Sequence, residues 1–192
     1  MRTEVRIFSG SLRGRKLTFT IDPDLRPMPD RVRHALFSIL GNAVPGRQFF
    51  DLFAGTGAVG MEALSREAGR VTFVELDAKL SGALTKYMQE FRVADRTTIY
   101  RGDVYRWVQH WPAPSEPVTI FLGPPFPHLE NRLDALIQTL SELQQRVAFD
   151  SVLVFQSEKG FDVSKLPDPE RWDHRKYGRN ILSIWVKEQV GI

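Results

Sequence analysis

Apolar and polar residues alternate along Arg2–Phe8 and again along Lys16–Ile21, on either side of Gly10 and Gly14, a period of two that predicts a β-hairpin. The period then changes. Val32, Ala35, Leu36, Ile39 and Leu40 recur at helical spacing behind the start signal Pro29-Asp30, so a helix is expected to run to Gly41. From Gln48 onward, apolar strand runs at Gln48–Phe53, Arg70–Leu76, Thr97–Arg101 and Val118–Leu122 alternate with helical stretches over 58–68, 79–92, 104–110 and 129–147. A fifth strand, Ser151–Gln156, precedes a hairpin of Asp173–Tyr177 and Asn180–Lys187 that turns at Gly178. Such alternation predicts an α/β fold of Rossmann-like type: a mostly parallel twisted sheet with helices on both faces and a C-terminal antiparallel hairpin. An N-terminal β-hairpin and helix precede it. The expected division is a basic hairpin arm over residues 1–28 and a cofactor-binding domain over 29–192, in one compact unit.

Composition narrows the function classes. A chain of 192 residues with 42% hydrophobic residues can bury about 70% of its surface in one core without covalent staples. With no cysteine there is no disulfide and no thiolate metal site or nucleophile, and the four histidines lack ligand-like spacing, so no metal is expected. No apolar run has the length of a membrane span, and the first residues lack the apolar core of a signal peptide; the expectation is a soluble, cytoplasmic protein. Net charge is only +3, but residues 1–33 hold eight Lys/Arg against four Asp/Glu, which leaves eighteen against nineteen for the rest. Arg2, Arg6, Arg13, Arg15, Lys16, Arg26, Arg31 and Arg33 make up this excess. Such an arm suits the phosphates of a nucleic-acid backbone, or it is simply a solvated edge. The turn Arg13-Gly14-Arg15-Lys16 favours RNA, and the helix at 30–40 is expected to turn Arg31 and Arg33 toward solvent or substrate.

Ligands of open α/β sheets bind outside the carboxyl ends of the strands, near the switch in strand order. The first such end is the most telling. Phe50-Asp51-Leu52-Phe53-Ala54-Gly55-Thr56-Gly57-Ala58-Val59-Gly60 reads as a strand, a glycine loop that lets a ligand approach the backbone, and a helix. The spacing Gly55-x-Gly57-x-x-Gly60, with Glu75 roughly 20 residues on, also fits a dinucleotide site, so the pattern alone leaves NAD and S-adenosylmethionine open. Asp51 favours the second. A carboxylate there repels a pyrophosphate at the helix N-terminus but suits the ammonium and sulfonium of S-adenosylmethionine. The chain also has little room for the second domain that a dinucleotide oxidoreductase usually needs.

The other strand ends carry chemistry of the same kind. Glu75 can accept from both ribose hydroxyls, whereas Asp77 suits the cap of the next helix. Asp103 can accept from an adenine amino group, cap the helix that follows, or do both. At Gly123-Pro124-Pro125-Phe126 two prolines stiffen the chain after a buried strand, and Phe126 offers a face on which a planar base can stack, or it is a core aromatic.

Together these residues resemble the class I S-adenosylmethionine-dependent methyltransferases, and more narrowly the RsmD-type family that methylates the exocyclic amine (N2) of a guanine in small-subunit ribosomal RNA. The resemblance is carried by Gly10-x-x-Arg13-Gly14-Arg15-Lys16-Leu17, by Leu25-Arg26-Pro27-x-x-Asp30-Arg31-Val32-Arg33-x-x-Leu36-Phe37, by Asp51-x-Phe53-Ala54-Gly55-Thr56-Gly57 with Gly60, and by Glu62-Ala63-Leu64-Ser65-Arg66. It implies cofactor contacts from Asp51, Phe53, Ala54, Gly55, Thr56, Gly57, Glu75, Leu76, Asp103 and Val104. It implies RNA contacts from Arg13, Arg15, Lys16, Arg26, Arg31 and Arg33, a methyl-transfer motif at Gly123, Pro124, Pro125 and Phe126, and small-subunit ribosomal RNA or an assembling subunit as partner. The family motif begins with Asp or Asn, and here Gly123 stands in that place. Two alternatives follow: an RNA methyltransferase whose amine is positioned by backbone or by a side chain from elsewhere, or a homologue that binds RNA and S-adenosylmethionine but has lost most catalysis.

Overall fold

A computed structural model of the chain describes residues 2–20 and 27–189. The first two strands, β1 (Arg2–Arg6) and β2 (Lys16–Thr20), pair antiparallel as a separate hairpin. Helix α1 (Asp30–Leu40) leads into the main sheet, where β3 (Gln48–Leu52), α2 (Ala58–Ser65), β4 (Arg70–Glu75), α3 (Ala78–Glu90), β5 (Thr97–Arg101), α4 (Val104–His110) and β6 (Val118–Leu122) alternate. Then come α5 (His128–Asn131), α6 (Leu133–Arg146), β7 (Val152–Glu158) and the hairpin β8 (Asp173–Tyr177) and β9 (Asn180–Val186). The seven strands lie in the order β5-β4-β3-β6-β7-β9-β8. All neighbours pair parallel except β7 with β9 and β8 with β9. The expected α/β class and closing hairpin are therefore present, and the order reverses between β3 and β6, which makes that crevice the switch point.

Strand parity divides the core. Phe49, Phe73, Phe121 and Val154 point to the face covered by α1, α2, α3 and the N-terminal hairpin, whereas Phe50, Ile120, Leu122 and Phe155 point to the face covered by α4 and α6. Both faces are apolar because both are covered.

Three expectations are corrected by local geometry. The buried face of α1 is Val32, Arg33, Leu36, Phe37 and Leu40, so Arg33 and Phe37 take the places expected for Ala35 and Ile39, and Arg33 lies on it at 1% exposure. Its guanidinium donates to the Arg6 carbonyl at 2.7 Å and to Asp30 at 3.1 Å and lies over the Phe8 ring, so it joins α1 to the hairpin rather than facing solvent. Helix 129–147 is two helices, α5 and α6, broken where Arg132 takes φ −134°. The helix after the glycine loop stops at Ser65 because Glu67 adopts φ 71° and the Ala68 N–H turns back to the Ala63 carbonyl at 3.0 Å.

Helix α2 is buried along its whole length and anchors the arm. The Glu62 carboxylate, 1% exposed, accepts from the N–H groups of Phe8 (2.9 Å) and Ser9 (3.1 Å) and from Arg66 Nε (2.9 Å). Ser65 binds the same turn: its carbonyl accepts from the Ser11 N–H, its hydroxyl accepts from the Leu12 N–H and donates to the Ser9 carbonyl. The approach is so close that a Cβ at Gly10 would stand 1.6 Å from the Ser65 carbonyl oxygen. Replacing Glu62 with Ala strands two donors at this seam, so it is expected to lower stability by about 3 kcal/mol. Urea unfolding and amide exchange check this: Phe8 and Ser9 should lose protection first, and an unchanged midpoint would contradict the anchor.

Candidate functional site

The backbone turns sharply where β3 ends. Phe53 has φ 62°, an unfavourable conformation for a bulky residue, and its ring packs edge-on against Tyr105 and His128. The Ala54 N–H donates to the Val74 carbonyl at 3.0 Å, and Gly57, at φ 67°, precedes the first turn of α2. One turn on, the Gly60 N–H donates to Asp51 Oδ2 at 2.8 Å. A Cβ at Gly60 would lie 2.3 Å from the Phe73 ring, so only glycine allows helix and sheet this close. Asp51 is 1% exposed, and burial pushes its carboxyl up to about 8, with the nearby Glu75 acting in the same direction. A neutral carboxyl of this kind becomes a favourable anion beside a cation.

Glu75 reaches back to the same loop. Its Oε2 accepts from the Gly55 N–H at 2.6 Å and its Oε1 from the Asp77 N–H at 2.8 Å. Each oxygen keeps a further lone pair for a ligand hydroxyl. Asp77 caps α3 through the N–H groups of Lys79 (2.7 Å) and Leu80 (2.9 Å). Asp103 caps α4 through Tyr105 N–H at 2.8 Å, while its other oxygen faces Arg132 at 3.4 Å. The break in the helix at Arg132 lets that guanidinium lie 4.1 Å from the centre of the Tyr105 ring. Tyr105 shares a 3.0 Å hydrogen bond with His128 Nδ1. Burial drives the tyrosine up to about 12 and the histidine down, so both remain neutral near pH 7.

Across the switch point the Gly123 N–H donates to the Leu52 carbonyl at 3.2 Å. A Cβ there would meet the Phe121 ring at 2.8 Å and Gln156 Oε1 at 3.5 Å. Phe121 thus occupies space that a side chain at 123 would need. Asp51, Phe53, Ala54, Gly55, Thr56, Glu75, Leu76, Asp103, Val104 and the run Gly123–Phe126 all line one cavity of about 970 Å³. Gly57 shapes the loop without lining it. Leu76, 66% exposed, forms an apolar lip, and Phe126 is half-buried.

The arm cations stand apart. Arg13, Arg15 and Lys16 are exposed at the hairpin turn, with Lys16 paired to Glu4 at 2.9 Å, and Arg31 is exposed on α1. Arg33 is buried, and Arg26 lies outside the described residues. Sequence reasoning missed Tyr105, His128, Arg132, Gln156, Arg179 and Asn180, all on the cavity wall. Gln156 was detectable as a polar residue closing an apolar strand run, the same sign that marked Asp51.

The cavity tests well for a cationic nucleoside: a buried carboxyl beside a glycine loop, a second carboxylate with open lone pairs, and an apolar lip. Among the described residues no cluster suits a metal ion, and no helix is long and apolar enough to cross a membrane.

The profile of the family described as Conserved hypothetical protein 95 matches residues 5–186. Ribosomal RNA small subunit methyltransferase D of Escherichia coli K12 is 33% identical over 193 residues, covering 98% of this chain and 92% of that one. Its namesake in Haemophilus influenzae is 35% identical over 171 residues, covering 88% and 85%. Among solved structures, yhhF of Escherichia coli superposes with TM-score 0.78 at 28% identity, over 97% of this chain and 99% of that one. A Salinibacter ruber RNA methyltransferase in complex with S-adenosyl-L-homocysteine shares the fold, with TM-score 0.59 at 20% identity over 87% and 97%.

The buried groups have measurable consequences. Below about pH 4 Asp51 is protonated in both states, and above about pH 8 it is ionised in both; between them only the unfolded chain loses the proton, so stability falls as pH rises. Asp51→Asn should therefore flatten the pH dependence of thermal stability between pH 4 and 8, and an unchanged slope would contradict the burial argument. Gly123→Ala should cost about 1–3 kcal/mol by overpacking against Phe121, and Phe121→Leu in the same chain should recover most of it. Denaturant unfolding of the single and double variants checks the coupling.

Proposed function

The chain belongs to the ribosomal RNA small subunit methyltransferase D family, and from that premise we propose that it transfers a methyl group from S-adenosylmethionine to the exocyclic amine of a guanine in small-subunit ribosomal RNA. The single observation that carries this reading is the convergence of the Asp51 loop, Glu75, Asp103 and the Gly123–Phe126 turn on one cavity at the switch point. S-adenosylmethionine supplies a methyl group on a sulfonium, ready for in-line displacement. The protein then has to bind the donor, orient the amine and exclude water.

Asp51 is the proposed partner for the donor's positive charge, and Glu75 for its ribose hydroxyls. Leu76, Val104 and Asp103 bound the space beyond Glu75, where an adenine ring has apolar walls and one acceptor. Phe126, on the stiff Pro124-Pro125 turn, offers the face for the target base. Arg13, Arg15, Lys16 and Arg31 present exposed cations that suit RNA phosphates, and the seam at Glu62 and Ser65 fixes the arm to the helix that follows the donor loop. Gly123 favours a second reading, in which the chain binds donor and RNA but transfers methyl groups poorly, because no side chain at 123 accepts from the amine.

Calorimetry is expected to show tight binding of S-adenosylmethionine and none of NAD; the reverse preference would sink the assignment. Arg13→Ala with Arg15→Ala should weaken RNA binding and reduce the slope of log affinity against log salt by roughly 1–2, as expected for two lost phosphate contacts. An unchanged slope would return the arm to a solvated edge.

A further inference from the structure

Strand register brings a second polar group to the place that Gly123 leaves bare. Leu122 pairs with Phe155, so the next residues on these parallel strands, Gly123 and Gln156, are neighbours. Both share the strand parity of Asp51, Phe121 and Val154 and so face the same side of the sheet. Gln156 is only 8% exposed and yet lines the cavity. Its Oε1 lies 3.5 Å from the point where a side chain at 123 would begin. Its Nε2 donates to Asn180 Oδ1 at 2.8 Å, which turns the NH2 toward β9 and leaves the oxygen on the Gly123 side. Among the described residues no donor reaches that oxygen, which opens onto the cavity. Beyond the chain neighbours of position 123, the side chains nearest to a Cβ placed there are Phe121 and Gln156, and of the two only Gln156 carries an acceptor.

We propose that Gln156, oriented by Asn180, accepts a hydrogen bond from the target amine in place of a side chain at 123; this rests on the guanine-amine reading above. A guanine amino nitrogen is a poor nucleophile because its lone pair is delocalised into the ring. An acceptor on one N–H turns that pair out of the ring plane. The lone pair then forms the N–C bond, the S–C bonding pair stays on sulfur, and one amine proton leaves to water. The neutral amide orients the amine without taking the proton. Gln156 therefore touches the reacting group, and Asn180 is a positioning residue.

Single-turnover methyl transfer to small-subunit RNA tests this, with donor affinity measured in parallel. Gln156→Leu, of similar volume but without an acceptor, should transfer about 100- to 1,000-fold more slowly at donor affinity within threefold of wild type. Gln156→Glu, which keeps an acceptor but loses the amide donor to Asn180, should be slower than wild type and faster than the Leu variant. Asn180→Ala, which leaves the amide intact but unguided, should slow turnover with KM for RNA unchanged, and it serves if the Leu variant does not fold. A readout independent of turnover is the Gln156 side-chain amide resonance, which should shift on binding guanine RNA and not on binding the same RNA with inosine, which lacks the amine, at the target. Wild-type rates in Gln156→Leu, or a Glu variant as slow as the Leu variant, would overturn the assignment to Gln156 while the methyltransferase reading stands. A wild-type protein that binds the donor and labels no guanine would overturn that reading, and this one with it.

Discussion

Two buried carboxyl groups hold one short helix, and most of the architecture depends on them. Asp51 receives the N–H of Gly60 near the start of α2, and Glu62 on its last turns receives the N–H groups of Phe8 and Ser9. Every side chain between is buried, so the helix cannot shift without opening the core. Its front end shapes the donor loop and its back end seats the basic hairpin. RNA engaged by the hairpin and a methyl donor engaged by the loop would thus be referred to the same rigid element.

The second organising constraint is the pleat. Residues 51, 121, 123 and 156 alternate onto one face of three adjoining strands, so their positions relative to one another are set by register. This explains why Phe121 and Gly123 belong together: a large ring two residues earlier on the same face fills the volume of a side chain at 123. It also explains how a polar group on β7 reaches the place vacated on β6. A sheet built this way can bring a polar group from the next strand close to the position that has lost one.

Much of this was legible in the sequence because it is local. Period-two and helical runs, glycines around 55–60 and acids closing apolar strands are short-range signals, and they gave the strand order's raw material, the donor loop and the acids Asp51, Glu75 and Asp103. What was not legible depends on contacts far along the chain. Arg33 read as a surface cation because arginine usually is one; only the hairpin, whose Arg6 carbonyl and Phe8 ring receive it, makes an inward guanidinium affordable. The break at Arg132 has no glycine or proline at that position to announce it, and the partners its side chain meets there, the Tyr105 ring and the Asp103 carboxylate, lie on other elements. Gln156 and Asn180 are separated by 24 residues and become a pair only once β9 returns beside β7.

A methyltransferase of this kind must deliver the methyl group to a guanine amine. Small-subunit RNA incubated with the protein and isotopically labelled S-adenosylmethionine, then digested to nucleosides and resolved by mass spectrometry, answers this directly. Label is expected in N2-methylguanosine. Label confined to another position, or none in RNA despite demonstrated donor binding, would contradict it.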